Sequence, residues 1–137
     1  MKILKSRSKN QNTNLASEFY VASKLFRLGY TLGHTKEIDI VAINPIDGKI
    51  ITIDVKGLKN KTNWPLIPRK KAKSHYFILV AWCNKFNDPS FQPEIFVVPS
   101  TKISKLLTPW SGNPKVLCVG YTKAKNSKYK NAWSLLV

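Results

Sequence analysis

Between Lys36 and Gly57 two apolar, β-branched runs, KEIDIVAI and KIITIDVKG, flank the turn-forming sequence NPIDG. Short runs of this kind favour extended strands, and Pro, Asp and Gly between them suit a tight reversal, so a β-hairpin is the first commitment. With an even-membered loop centred between Ile46 and Asp47, Asp39 falls directly across from Asp54. Side chains alternate faces along a strand, which groups Asp54 with Thr52 and Lys56, and Asp39 with Val41 and Ile43. Glu37 shares the parity of Asp39 but lies at the strand end, where solvent can take it. Like charges opposed on a sheet destabilise it. The chain holds only 7 acidic residues against 23 Lys and Arg, so two acids set in opposition call for a cation between them.

Ahead of the hairpin, LASEFYVASKLFRL has helical spacing. Thr13 and Asn14 are candidate caps and Gly29 closes the segment, which predicts a helix over 14–28. At about 100° per residue, Leu15, Phe19, Val21, Ala22, Leu25, Phe26 and Leu28 fill one half of its surface, and Glu18 falls inside that half. A carboxylate on a packed face costs several kcal/mol unless it is paired, protonated or bound to metal. Glu18, Asp39 and Asp54 are therefore expected to converge as oxygen ligands, a set that prefers Mg²⁺ or Mn²⁺. Lys56 projects to the Asp54 side, about 6 to 7 Å further along the strand. It can assist a nucleophile or neutralise a phosphate, so the four residues are the parts of metal-assisted phosphodiester hydrolysis.

Helix Glu18, then Asp39, then Asp54-Val55-Lys56 resembles the pattern of the PD-(D/E)XK nucleases. ASEFYVASKLFRLGY with KEIDIVA and IDVKG is similar to the small archaeal Holliday-junction resolvases and the YraN-like proteins, over about residues 14 to 57. The resemblance implies an α/β fold with a restriction-endonuclease-like core, a mixed β-sheet with a central hairpin flanked by helices. It implies Mg²⁺ on Asp39 and Asp54, Glu18 completing the site, and a catalytic Lys56. Two departures stand out: Asn14 replaces the glycine often found ahead of the helix glutamate, and a proline-broken basic stretch replaces the helix after the lysine strand.

Elsewhere, 1–12 reads as a basic flexible arm and 13–137 as one nuclease-like domain, since 137 residues suit a single core. The stretch 57–74 reads as a loop with at most a short helical piece over 69–73, interrupted by Pro65 and Pro68. Strands are expected at His75–Trp82, Glu94–Pro99 and over 116–121. A short helix is expected from a Ser100 cap through Leu107, and the tail should dock through Trp133, Leu135 and Leu136. Cys83 and Cys118 stand apart and read as reduced thiols. His34 and His75 lack partners at ligand spacing and read as surface or strand-end residues.

A formal charge of +16 seeks a polyanion. Phosphate contacts are expected from Lys5, Arg7, Lys9, Lys59, Lys61, Arg69, Lys70, Lys71, Lys73, Lys123 and Lys125. Trp64, Tyr76, Tyr129 and Trp133, interleaved with basic residues, are read chiefly as core. The expected partner is DNA, with RNA also open, acted on by a structure-selective or partner-directed endonuclease. A homodimer suits paired strand cleavage. No apolar run spans a membrane and no leader is evident, so the cytoplasm is the expected compartment. The alternative is a non-catalytic basic nucleic-acid-binding protein whose acids form a structural ion-pair cluster.

Overall fold

The computed structural model describes residues 9–36, 38–67 and 72–136. It is an α/β arrangement built on a mixed sheet. Helix α1 spans Lys9–Arg27 and is followed by β1 (Thr31–Gly33), β2 (Ile40–Ile43), β3 (Ile50–Leu58), β4 (Asn63–Pro65), β5 (His75–Ala81) and β6 (Glu94–Pro99). After a 3-10 turn at Ile103–Lys105 come β7 (Leu107–Trp110), β8 (Asn113–Gly120), the short helix α2 (Tyr121–Lys125) and a 3-10 turn at Trp133–Leu135. No helix among the described residues is long and apolar enough to cross a membrane.

The larger sheet has five strands in the order β1-β2-β3-β5-β6. The expected hairpin is present in the expected register, with Ile40 opposite Ile53 and Ile43 opposite Ile50. β3 pairs β5 in parallel and β5 pairs β6 antiparallel. β5 is buried along its whole length, as its unbroken apolar run requires of a central strand.

Alternation along β3 divides the interior in two. Ile51, Ile53 and Val55 face α1, where they pack with Val21, Leu25, Ile78 and Val97. Leu58, Phe77, Leu79 and Phe96 face a second sheet, of three strands in the order β4-β8-β7. Trp64 of β4 plugs this second core at 1% exposure, donating from Nε1 to Val80 O at 3.2 Å. Tyr76 and Tyr129 are buried as well, and the tail docks through Leu136, with Trp133 and Leu135 partly buried on the first core.

Several expectations change. α1 begins at Lys9, so 9–12 belong to the helix and Thr13 and Asn14 lie within it; 1–8 are outside the described residues. Its buried stripe is Thr13, Ser17, Val21 and Leu25, whereas Phe19, Phe26 and Leu28 are exposed. The stretch 57–74 contains strand β4, while the short helical piece expected over 69–73 falls mainly outside the described residues. β7 is a strand that was not expected, and the helix capped by Ser100 shrinks to the 3-10 turn. Pro65 and Pro109 fit these strands because β4 and β7 are both sheet edges, where a missing N–H leaves no partner unsatisfied.

Candidate active site

β2 begins only at Ile40, so beyond the Ile40–Ile53 pair the β2 side of β3 is left open. Asp39 fills that gap. Its Oδ2 accepts a hydrogen bond from Val55 N at 2.8 Å, standing in for the missing strand partner and fixing the carboxylate at the mouth of the hairpin.

α1 is held close to the same place. A Cβ at Gly57 would lie 3.0 Å from Thr13 O and closer still to Ser17 Oγ, so the helix can seat here only over glycine. Ser17 donates to Thr13 O at 2.6 Å and accepts from Trp82 Nε1 at 2.9 Å, which pins the helix to the end of β5. Asn14 Oδ1 accepts from Gly57 N at 3.3 Å. The residue that departs from the usual glycine thus ties the helix to the strand immediately after Lys56.

This seating delivers Glu18 to Asp39. Burial raises the Glu18 carboxyl, the Asp39 charge and a side-chain hydrogen bond with Asp39 raise it further, and Lys56 opposes them; the balance leaves Glu18 at about 7. Two carboxyls that share a hydrogen bond near neutral pH form a site for one proton or one cation. Glu18, Asp39 and Lys56 are accordingly close enough to act on one another.

Asp54 stands elsewhere. The parity that groups it with Lys56 puts both on the face of β3 away from α1, and Asp54 is 4% exposed there. Its Oδ2 lies 3.3 Å from His75 Nε2, while His75 Nδ1 is 2.6 Å from Thr52 Oγ1. The approach to Asp54 is an ion-pair distance without hydrogen-bond geometry, since Nε2 makes no hydrogen bond. Among the described residues no group of three or more His, Cys, Asp or Glu side chains is placed to hold a metal ion. Lys56 shares the even face, and its positive charge acts on Glu18.

His75 heads β5, the strand-end position open to it from sequence, but it is buried there against Asp54 rather than exposed, set beside Thr52 by the parallel register. His34 is exposed, and Glu37 lies outside the described residues.

A cleft of about 330 Å³ opens beside Lys56, lined by Asn14, Gly57, Lys59, Asn63 and Trp64 among others. Lys59 and Lys61 are exposed at this end of β3, with Lys59 Nζ 5.5 Å from the Phe86 ring centroid. Lys123 and Lys125 are exposed on α2, whose first residue donates from Tyr121 N to Thr62 O at 2.9 Å. Lys73 is exposed at the opposite end of the strand pair, next to Ser74, whose carbonyl accepts from Thr52 N. Lys9 opens α1, and Lys5, Arg7, Arg69, Lys70 and Lys71 lie outside the described residues.

A second polar cluster ties the tail to the core. Glu94 accepts from Tyr121 Oη and from Cys83 Sγ (3.1 Å) and pairs with Lys130 Nζ at 3.0 Å. Burial would raise this carboxyl, but the three donors and the Lys130 charge outweigh it and pull Glu94 down to about 2. Cys83 and Cys118 are both free and buried, and burial pushes the Cys83 thiol up.

No protein-family model, curated protein or solved structure matches this chain.

Proposed function

We propose that the protein is a divalent-metal-dependent endonuclease, and that α1, the β1-β2-β3 antiparallel unit and parallel β5 are a restriction-endonuclease-like core. The observation that carries this reading is the meeting of Glu18 with Asp39 beside Lys56, at an open strand edge, in a chain of formal charge +16. Such a basic chain has little reason to set two carboxyls together next to a phosphate-binding surface unless a cation or a proton is to be held there.

Hard oxygen donors suit Mg²⁺ or Mn²⁺, and Glu18 and Asp39 are the residues that would hold it, with Asp54 engaged on the other face. A cation bound there supplies Lewis-acid stabilisation of the phosphate and a more acidic water. The protein's own contributions are distinct. Val55 N–H orients the Asp39 carboxylate. Glu18, near 7, can take or release a proton at its carboxyl oxygen around neutral pH. The Lys56 ammonium faces the charge that grows on phosphate oxygens during in-line displacement. Lys59 and Lys61 extend the positive surface away from the site.

The alternative, a non-catalytic nucleic-acid binder, draws on the Asp54–His75 contact, because a buried acid set against a buried histidine is what a purely structural cluster would contain. The two part in one experiment. Purified protein is incubated with linear, nicked, flapped and four-way DNA, and with RNA, in Mg²⁺ or in EDTA. The nuclease reading expects Mg²⁺-dependent strand scission that disappears in Asp39→Asn; binding to all substrates with scission of none supports the alternative.

A further inference from the structure

α1 carries a second apolar stripe that the core does not use. Phe19 is 73% exposed and Phe26 60%. Both line a groove of about 520 Å³ whose other walls include Leu32 and Ile38 and whose floor reaches Glu18 and Asp39. This volume falls in the ordinary range of small-ligand sites. Leaving two phenyl rings in water forgoes roughly 1.5 to 3 kcal/mol each, so rings held out beside the carboxyl pair call for an occupant.

Resting on the nuclease reading, we infer that this groove receives unpaired bases of a nucleic-acid strand whose backbone passes the Glu18–Asp39 pair, making single-stranded or branched nucleic acid the preferred substrate class. Phe19 and Phe26 are two helical turns apart, about 10 Å along the axis, which matches roughly three steps of stacked bases. Phenyl faces stack on any base, whereas paired bases inside a duplex cannot offer theirs. Charge selects the occupant. Arg27 and Lys36 are exposed next in sequence to the lining residues Phe26 and Thr35, which suits an anionic backbone. A second copy of the chain would instead set one body of formal charge +16 against another.

The test measures binding in EDTA, so that it does not depend on hydrolysis. Wild type and the Phe19→Ala/Phe26→Ala variant are titrated into labelled single-stranded, forked and blunt duplex DNA. Because both rings are exposed, the variant keeps its packed core. Stacking is worth roughly 1 to 3 kcal/mol per base. The variant should therefore bind single-stranded and forked DNA at least about tenfold more weakly, with duplex affinity changed less than about twofold. 2-Aminopurine in the unpaired arm should be quenched by wild type and not by the variant. Equal single-strand affinities, or an equal loss on duplex, would overturn the inference. So would a wild-type dimer that the variant dissolves with single-strand affinity unchanged, since a second copy would then fill the groove. If the groove effect appears but wild type cuts nothing in Mg²⁺, the nuclease reading fails and the binding site stands. If wild type cuts but the rings make no difference, only this inference fails.

Discussion

Replacing Glu18 with Gln keeps the side-chain shape and removes the ionisation that α1 brings against Asp39. In the unfolded chain the carboxyl titrates at 4.5, and in the fold at about 7. The native state therefore binds this proton more tightly than the unfolded state, and stability falls as pH rises from about 4.5 through 7. The whole rise corresponds to roughly 3 kcal/mol above pH 7, and discounting for the partly solvated position leaves about 1 to 2 kcal/mol. Urea unfolding in EDTA at pH 5 and pH 8 reads it directly. At pH 8 Glu18→Gln should be more stable than wild type by that amount. At pH 5, where Glu18 is largely protonated, the two should nearly coincide. Millimolar Mg²⁺ at pH 8 should stabilise wild type and do much less for the variant. A variant less stable than wild type at pH 8, or a difference that does not change with pH, would refute the idea that Glu18 and Asp39 repel one another in the metal-free fold.

Three other outcomes follow from particular residues. Duplex affinity should fall steeply with salt, and replacing Lys59 and Lys61 together with Ala should flatten the slope of log K against log salt by roughly 0.9 for each phosphate that is no longer neutralised. Gly57→Ala should destabilise by about 1 to 3 kcal/mol in thermal unfolding, because the new Cβ drives into Thr13 O and Ser17 Oγ, and it should cost cleavage by lifting Glu18 away from Asp39. Glu94→Gln should lower stability by on the order of 2 kcal/mol at pH 7. Since the folded carboxyl titrates at about 2, wild type has this stabilisation in full above about 4.5 and loses it as pH falls toward 2, where acid unfolding curves of the two should merge.

The hairpin and its register were legible because turn chemistry and two β-branched runs leave few other ways to pair. The apolar run at His75 and the EIFVVP strand were legible for the same reason: a buried strand needs continuous apolar surface. The helix face was not. A wheel shows which residues could form an apolar arc, but Gly57 brings the backbones so close that the small Thr13 and Ser17 must face it, which buries the stripe they share with Val21 and Leu25 and leaves Phe19 and Phe26 outside. The candidate site was legible in part for a related reason. Strand parity rightly joined Asp54 to Lys56, but the side of β3 on which α1 packs depends on tertiary structure. α1 occupies the odd face, so Glu18 meets Asp39 at the strand edge while Asp54 meets His75 on the far side. His75 became relevant only through the parallel β3–β5 pairing, which joins strands far apart in the chain and which no local pattern announces.

Lys56→Ala tests the central claim most directly, because Lys56 is assigned to chemistry more than to affinity. Single-turnover cleavage in Mg²⁺ and binding in EDTA are measured on the same DNA, with wild type and variant purified in parallel. The account predicts strand scission by wild type, loss of at least about a hundredfold in rate for the variant, and binding within a few-fold. Scission that survives unchanged in the variant, or no scission by wild type on any substrate, would contradict it.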